Sequence, residues 1–213
     1  MASRQVTAAE LKALDPKRFE KEYWDWVSYS ALWDDWAEFI EEMFKEDMKP
    51  FGVQVDSISY GDIGACGAYA VFDGFINVWT FMEQHKVYGV PLSELYPALY
   101  LAVKHDEAYA RIVTGNRGRM GVSIYENTSY VAPLGIFSGL DENAWQELVT
   151  EQWTQCDLYT TIEEFLRDKC GDLARDLEAE YEHLTSEEAF LEPCECNEIT
   201  FELEIEDESE FCN

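Results

Sequence analysis

Residues 199–211 read ITFELEIEDESEF, and the first half of this stretch alternates strictly. Phe201, Leu203 and Ile205 fall on one side of a β-strand, and Glu202, Glu204 and Glu206 fall on the other. Near the other end of the chain the period is helical. Thr7 caps a short helix carrying Leu11 and Leu14, and Asp15 before Pro16 reads as a second cap with proline at the first helical position. The pattern then runs through KRFEKEYWDWVSYSALWDDWAEFIEEMFKEDMK, with a break expected around residues 28–30. Trp33, Trp36, Ile40, Met43 and Phe44 recur at three and four residues and predict one buried stripe, with Asp34, Asp35, Glu38, Glu41 and Glu42 opposite.

Pro50 and Gly52 end that helix, and VQVDSISY alternates as a strand through Val53 and Val55, less cleanly through Ile58 and Tyr60. GDIGACG makes a turn that needs positive φ, and AYAVFDGFI returns antiparallel. Two short helices are expected over about 77–87 and 92–104, then a second hairpin, AYARIVTG and MGVSIYENT, around NRGR. An apolar connection, TSYVAPLGIFSGL, leads to a helix capped by Asp141 and bearing Trp145, Leu148 and Trp153. A longer helix is expected over about 161–184, TSEEAF opens a last helical turn with the signature of a capping box, and a strand follows Pro193. The fold class is α+β: a small antiparallel sheet of two hairpins plus the C-terminal strand, packed with several helices. Three segments are expected, with 1–50 a tryptophan-rich helical part, 51–206 the α+β core and 207–213 an acidic tail.

Composition changes the question from fold to partner. The 213 residues are 47% hydrophobic and 15% aromatic, enough for a sizeable core, yet 44 Asp and Glu face only 15 Lys and Arg. A formal net charge of -29 disfavours bare nucleic acid and anionic membrane as partners, and favours a basic protein or one that normally holds nucleic acid. The charge is also segregated: no Lys or Arg follows Arg175, and none occurs in residues 120–166. No apolar leader precedes residue 15 and no stretch approaches the length of a membrane span, so a reduced, cytoplasmic setting is expected, with the six cysteines mostly free.

The signals for catalysis are weak. Cys194 and Cys196, with Cys212 and His183 near in sequence, raise zinc, but a second ligand pair is missing and free thiols are the reading preferred. GDIGACG has the glycines of a phosphate loop without its lysine, and Cys66 with His85 or His105 lacks the remaining parts of a nucleophilic site. No enzyme and no cofactor is expected. What stands out is the row of carboxylates, whose spacing of roughly 6–7 Å on a strand and about 5–6 Å on a helix approximates a row of phosphates.

DSISYGDIGACGAYAVFDG resembles the D-x-I-x-Y…GDGACF-x-G hairpin of a family of small uncharacterised proteins of tailed bacteriophages with an antitoxin-like label. The resemblance continues through YPALYLAV and RGRMGVSIYE, and is most specific in LEAEYEHLTSEEAFLEPCECNEITF, where the family reads Leu-Glu-x-Glu-Tyr-x-Tyr-Leu-Thr-Ser-Asp-Glu-Ala and then Asn-Glu-Tyr-x-Phe. It covers roughly residues 53–125 and 173–201; the N-terminal helices lie outside it, the first hairpin is looser and the tail is more acidic. The resemblance implies phage origin and an α+β fold with a small antiparallel sheet, but no activity. In charge and size the chain is also similar to acidic phage inhibitors that imitate nucleic acid.

The leading expectation is therefore an interaction protein in the bacterial host cytoplasm that blocks a nucleic-acid-binding defence or regulatory protein. Its acidic face is assigned to Glu178, Glu182, Glu187, Glu188, Glu202, Glu204, Glu206, Asp207, Glu208 and Glu210. A two-fold homodimer would lengthen that face. The alternatives are an antitoxin, binding through the tryptophan-rich helices or residues 128–140, and a metal-dependent enzyme using clustered carboxylates.

Overall fold

Thr7 joins two elements in a computed structural model of the protein, ending strand β1 (Ala2–Thr7) and capping helix α1 (Ala8–Leu14). Its hydroxyl accepts from the Glu10 amide at 3.2 Å while the Glu10 carboxylate accepts from the Thr7 amide at 2.9 Å, a reciprocal capping box. Asp15 likewise accepts from the Arg18 amide and Pro16 opens α2 (Pro16–Trp26). The structure describes residues 2–31, 35–64, 67–105, 107–114, 120–125 and 142–205. The expected helix break takes the form of a π-helical stretch, Val27–Ala31, before α3 (Glu38–Met48). Gly52, at φ 74, closes the 3-10 turn Lys49–Phe51 in the left-handed conformation that glycine adopts without strain.

Strands β2 (Val53–Gly61) and β3 (Tyr69–Asn77) form the first hairpin. Helix α4 (Val78–Gln84) is shorter than expected, because Lys86 and Val87 belong to a small hairpin of β4 (Lys86–Val87) and β5 (Val90–Pro91). Its turn residues, Tyr88 and Gly89, both have positive φ, as a tight hairpin requires. The next expected helix is two, α5 (Leu92–Leu95) and α6 (Pro97–His105), since Tyr96 precedes proline and leaves the helical region. Strands β6 (Tyr109–Thr114) and β7 (Met120–Tyr125) give the second hairpin. Helices α7 (Glu142–Cys156), α8 (Leu158–Leu184) and α9 (Glu187–Cys196) precede β8 (Thr200–Ile205). The α+β class therefore holds.

Two compact units emerge, Glu38–Leu177 and Met1–Ala37 with Glu178–Asn213, so the segment 1–50 divides at Ala37 and its first part shares a unit with the end of the chain. In Glu38–Leu177 the antiparallel sheet has the order β2-β3-β6-β7. Its core gathers Phe72, Ile76 and Ile112 with Met48, Phe81, Leu99, Ile162 and Leu166. Rings interlock there, Phe44 edge-on to Phe72 at 5.3 Å and Phe165 at 4.8 Å from Phe51 and 5.2 Å from Phe81. In α8 one stripe at helical spacing, Ile162, Phe165, Leu166, Cys170, Leu173 and Leu177, is buried. The stripe expected along α3 is not met: Phe44 and Met48 are buried, Ile40 is half-buried, and Met43 lies a quarter-turn away, half exposed. Trp33, the loop 128–140 and the Asp141 cap lie outside the described residues.

The C-terminal strand was expected beside the two hairpins. Instead β8 pairs antiparallel with β1 in a sheet of its own, Val6 opposite Phe201 and Gln5 opposite Glu202. Beneath it Val6, Ala8, Leu11, Phe19, Phe190 and Cys194 make a second core, flanked by Tyr23, Trp26, Leu191, Phe201 and Leu203.

Candidate functional site

The acidic face is built on this terminal unit. Glu178 and Glu182 sit one turn apart at the end of α8, Glu178 half-buried and Glu182 exposed. Ser186 then caps α9, its hydroxyl accepting from the Ala189 amide at 3.1 Å. Because the third helical residue is Ala189, the reciprocal half of the expected capping box is missing. Glu187 and Glu188 occupy the first turn of α9, where the partial positive charge of free amides favours carboxylates. Pro193 does not end the helix but lies within it.

That continuation settles the fate of the cysteine pair. Cys194 and Cys196 are on a helix, not a strand, and residues two apart on a helix point roughly 200° apart. Cys194 packs into the core, where burial pushes its thiol pKa up, while Cys196 is exposed. Among the described residues no three His, Cys, Asp or Glu side chains group to hold a metal ion. Cys156 and Cys170 are buried thiols, and burial pushes their pKa up to about 11 and about 12. Burial holds His85 below its usual pKa beside the rings of Phe81 and Phe165, at 4.8 and 5.8 Å; Cys66 and Cys212 lie outside the described residues.

The longer helix also adds Glu192 and Glu195, which sequence reasoning missed, to the expected Glu188. Glu188, Glu192 and Glu195 follow at four and three residues along the exposed side of α9, opposite Phe190 and Cys194. At about 1.5 Å rise per residue they climb roughly 6 and 10 Å along the axis. The spacing is readable in the sequence, but a proline there reads as the end of a helix. After the helix, Glu198 adopts φ 54 and the Ile199 amide donates back to the Cys194 carbonyl at 2.8 Å, which releases the chain into β8. There Phe201 and Leu203 are half-buried against the core and Glu202 is exposed on the opposite side, as the alternation predicted. Glu204 holds the next register position on that side, opposite Ser3; Glu206, Asp207, Glu208 and Glu210 lie outside the described residues.

The isolation of these carboxylates from positive charge is a property of the sequence that the fold partly cancels. Lys12 of α1 pairs with Glu187, and its ammonium stands 5.5 Å from the Phe19 ring centroid. Arg18 donates to the carbonyl oxygen of Glu202 and lies 3.8 Å from Glu22. Tyr23 donates to the Thr185 carbonyl, and its hydroxyl pKa is raised by burial, then by Glu187 and Tyr181. Glu187 is thus partly neutralised. Among the described residues, Glu182, Glu188, Glu192, Glu195 and the Glu202 carboxylate have no such cation.

No protein-family model, curated protein or solved structure matches the chain, so its likeness to the phage family rests on the quoted motifs alone. No described helix is long and apolar enough to cross a membrane.

Proposed function

We propose that this is an acidic interaction protein that occupies the nucleic-acid-binding surface of a basic protein in a phage-infected bacterium, such as a defence or regulatory factor. The observation that carries the reading is the exposed run Glu188, Glu192 and Glu195 on α9, with Glu202 exposed on β8 as well, none of the four having a cation partner among the described residues. Carboxylates at helix and strand spacing present charge at intervals close to those of a phosphate backbone. Glu178 and Glu182 extend the acidic surface, and residues 204–210 supply further carboxylates in sequence. Such binding releases the counterions held by the partner, so it weakens with salt.

Competition tests this. A partner captured from nuclease-treated host lysate should lose bound DNA or RNA as the protein is added, and lose affinity for the protein as salt rises. The joint change Glu188→Gln, Glu192→Gln, Glu195→Gln and Glu202→Gln should weaken capture by at least about tenfold. Unchanged affinity would sink the assignment of this face. An antitoxin reading is favoured by a different observation, the exposure of Trp24 (54%) and Tyr29 (87%) on α2 and the π-helical stretch. Partner binding lost with Trp24→Ala and Tyr29→Ala, but indifferent to the four glutamates and to salt, would support that reading instead.

A further inference from the structure

Helix α3 and the first residues of β2 bound a groove of about 700 Å³ within the Glu38–Leu177 unit. Phe44 and Met48 turn into the core, which leaves the side of α3 bearing Phe39 and Met43 outside it. These two are 72% and 49% exposed and both line the groove. Large apolar side chains grouped in a concave, solvent-facing site mark an interaction surface.

The other wall is a sheet edge, for among the described residues β2 is the end strand of its sheet. The Asn77 amide donates to the Gly52 carbonyl at 2.8 Å, which sets the bonded phase of the β2–β3 ladder. The Val78 amide donating to the Ala108 carbonyl at 3.1 Å fits the same phase on the far side of β3. Residues alternate in an antiparallel pair, so Val53 and Val55 direct their N–H and C=O groups away from β3. Both line the groove. At Asp56 the register shifts by a bulge, which ends the run of edge open to pairing.

Charge selects the occupant. The groove's two cations, Lys45 and Lys49, are already paired along the helix with Glu41 and Glu46. Glu42 in the groove and Asp56 at its end have no cation partner among the described residues. A second copy would bring these carboxylates against their own counterparts on a chain of net charge -29, so self-pairing is opposed.

We infer that this edge takes an extended peptide segment of alternating apolar and basic residues. The segment adds as a strand beside residues 53–55, sets its apolar side chains against Phe39 and Met43 of α3, and directs its basic ones to the opposite face, where the Asp56 carboxylate accepts from Gln54. The site uses neither α9 nor β8 and stands or falls separately from the acidic face.

The probe is a short capped peptide alternating valine and lysine, titrated into the full chain and followed by backbone amide chemical shifts. The comparisons are a valine and glutamate peptide and a valine and lysine peptide N-methylated at alternate amides. The proposal expects saturable binding with shifts centred on residues 39–56. Binding should weaken by more than about tenfold on N-methylation and in Phe39→Ser or Met43→Ser proteins of unchanged circular dichroism, yet persist in a Glu188→Gln, Glu192→Gln, Glu195→Gln protein. It is overturned by absence of binding, by equal binding of either comparison peptide, by shifts confined to α9 and β8, or by concentration-dependent dimerisation through β2.

Discussion

Lys12 of α1 pairs with Glu187 of α9, so a cation from near the start of the chain sits on the acidic segment near its end. Both side chains are about half exposed, and a pair in that setting contributes at most about 1 kcal/mol. Lys12→Gln should therefore shift the unfolding midpoint only slightly. On the proposed function it should also strengthen binding to a basic partner, because it frees Glu187. Thermal denaturation and partner titration at two salt concentrations check both halves.

Phe190 is the hub of the terminal core, with ring centroids 5.7 Å from Phe19, 5.9 Å from Tyr23 and 5.4 Å from Trp26. Phe190→Ala should destabilise that unit by about 3–5 kcal/mol through lost burial and the cavity left behind. Urea unfolding should then show the terminal unit melting at lower denaturant, with loss of signal from Trp24 and Trp26. A midpoint equal to that of the parent protein would contradict the packing described.

His85 gives a pH dependence of known sign. Burial depresses its folded pKa below the unfolded 6.5, so the unfolded chain takes up a proton more readily. Its stabilising contribution is fully present above pH 6.5 and is lost as pH falls through the folded value. His85→Phe should remove this component; the difference in melting temperature between parent and variant, followed from pH 7.5 downward to about pH 5, isolates it from the carboxylates.

Thiol reactivity separates helix from strand at residues 194–196. In a Cys66→Ser, Cys212→Ser background, Cys196 should react at once with a disulfide reagent. Cys156, Cys170 and Cys194, buried and with raised pKa values, should react only as the chain unfolds. Prompt reaction of Cys194 together with Cys196 would mean that the end of α9 is not helical.

The elements most legible in the sequence are those fixed by local chemistry. Thr7 with Glu10, and Asp15 with Pro16, announce their helices because a cap involves residues only three apart. The imperfect alternation of β2 was legible too, though its cause was not: a bulge after Val55 changes the phase, so Ile58 and Tyr60 follow Val53 and Val55 by an odd step. Strand β1 was not legible. Ser3, Arg4 and Gln5 leave Val6 its one strong apolar signal, and the strand exists because β8, from the far end of the chain, pairs with it. The acidic face was half legible for a related reason: charge is written in the sequence, but the approach of Lys12 and Arg18 to it depends on that same pairing.

The pairing of β1 with β8 also dictates an order of events on the ribosome. Val6, Leu11 and Phe19 are made early, but their partners Phe190, Cys194 and Phe201 are made only after all of Glu38–Leu177 has been synthesised. The contiguous unit can fold during synthesis, whereas the terminal one must wait with an apolar helix face uncovered, the condition in which nascent chains recruit chaperones.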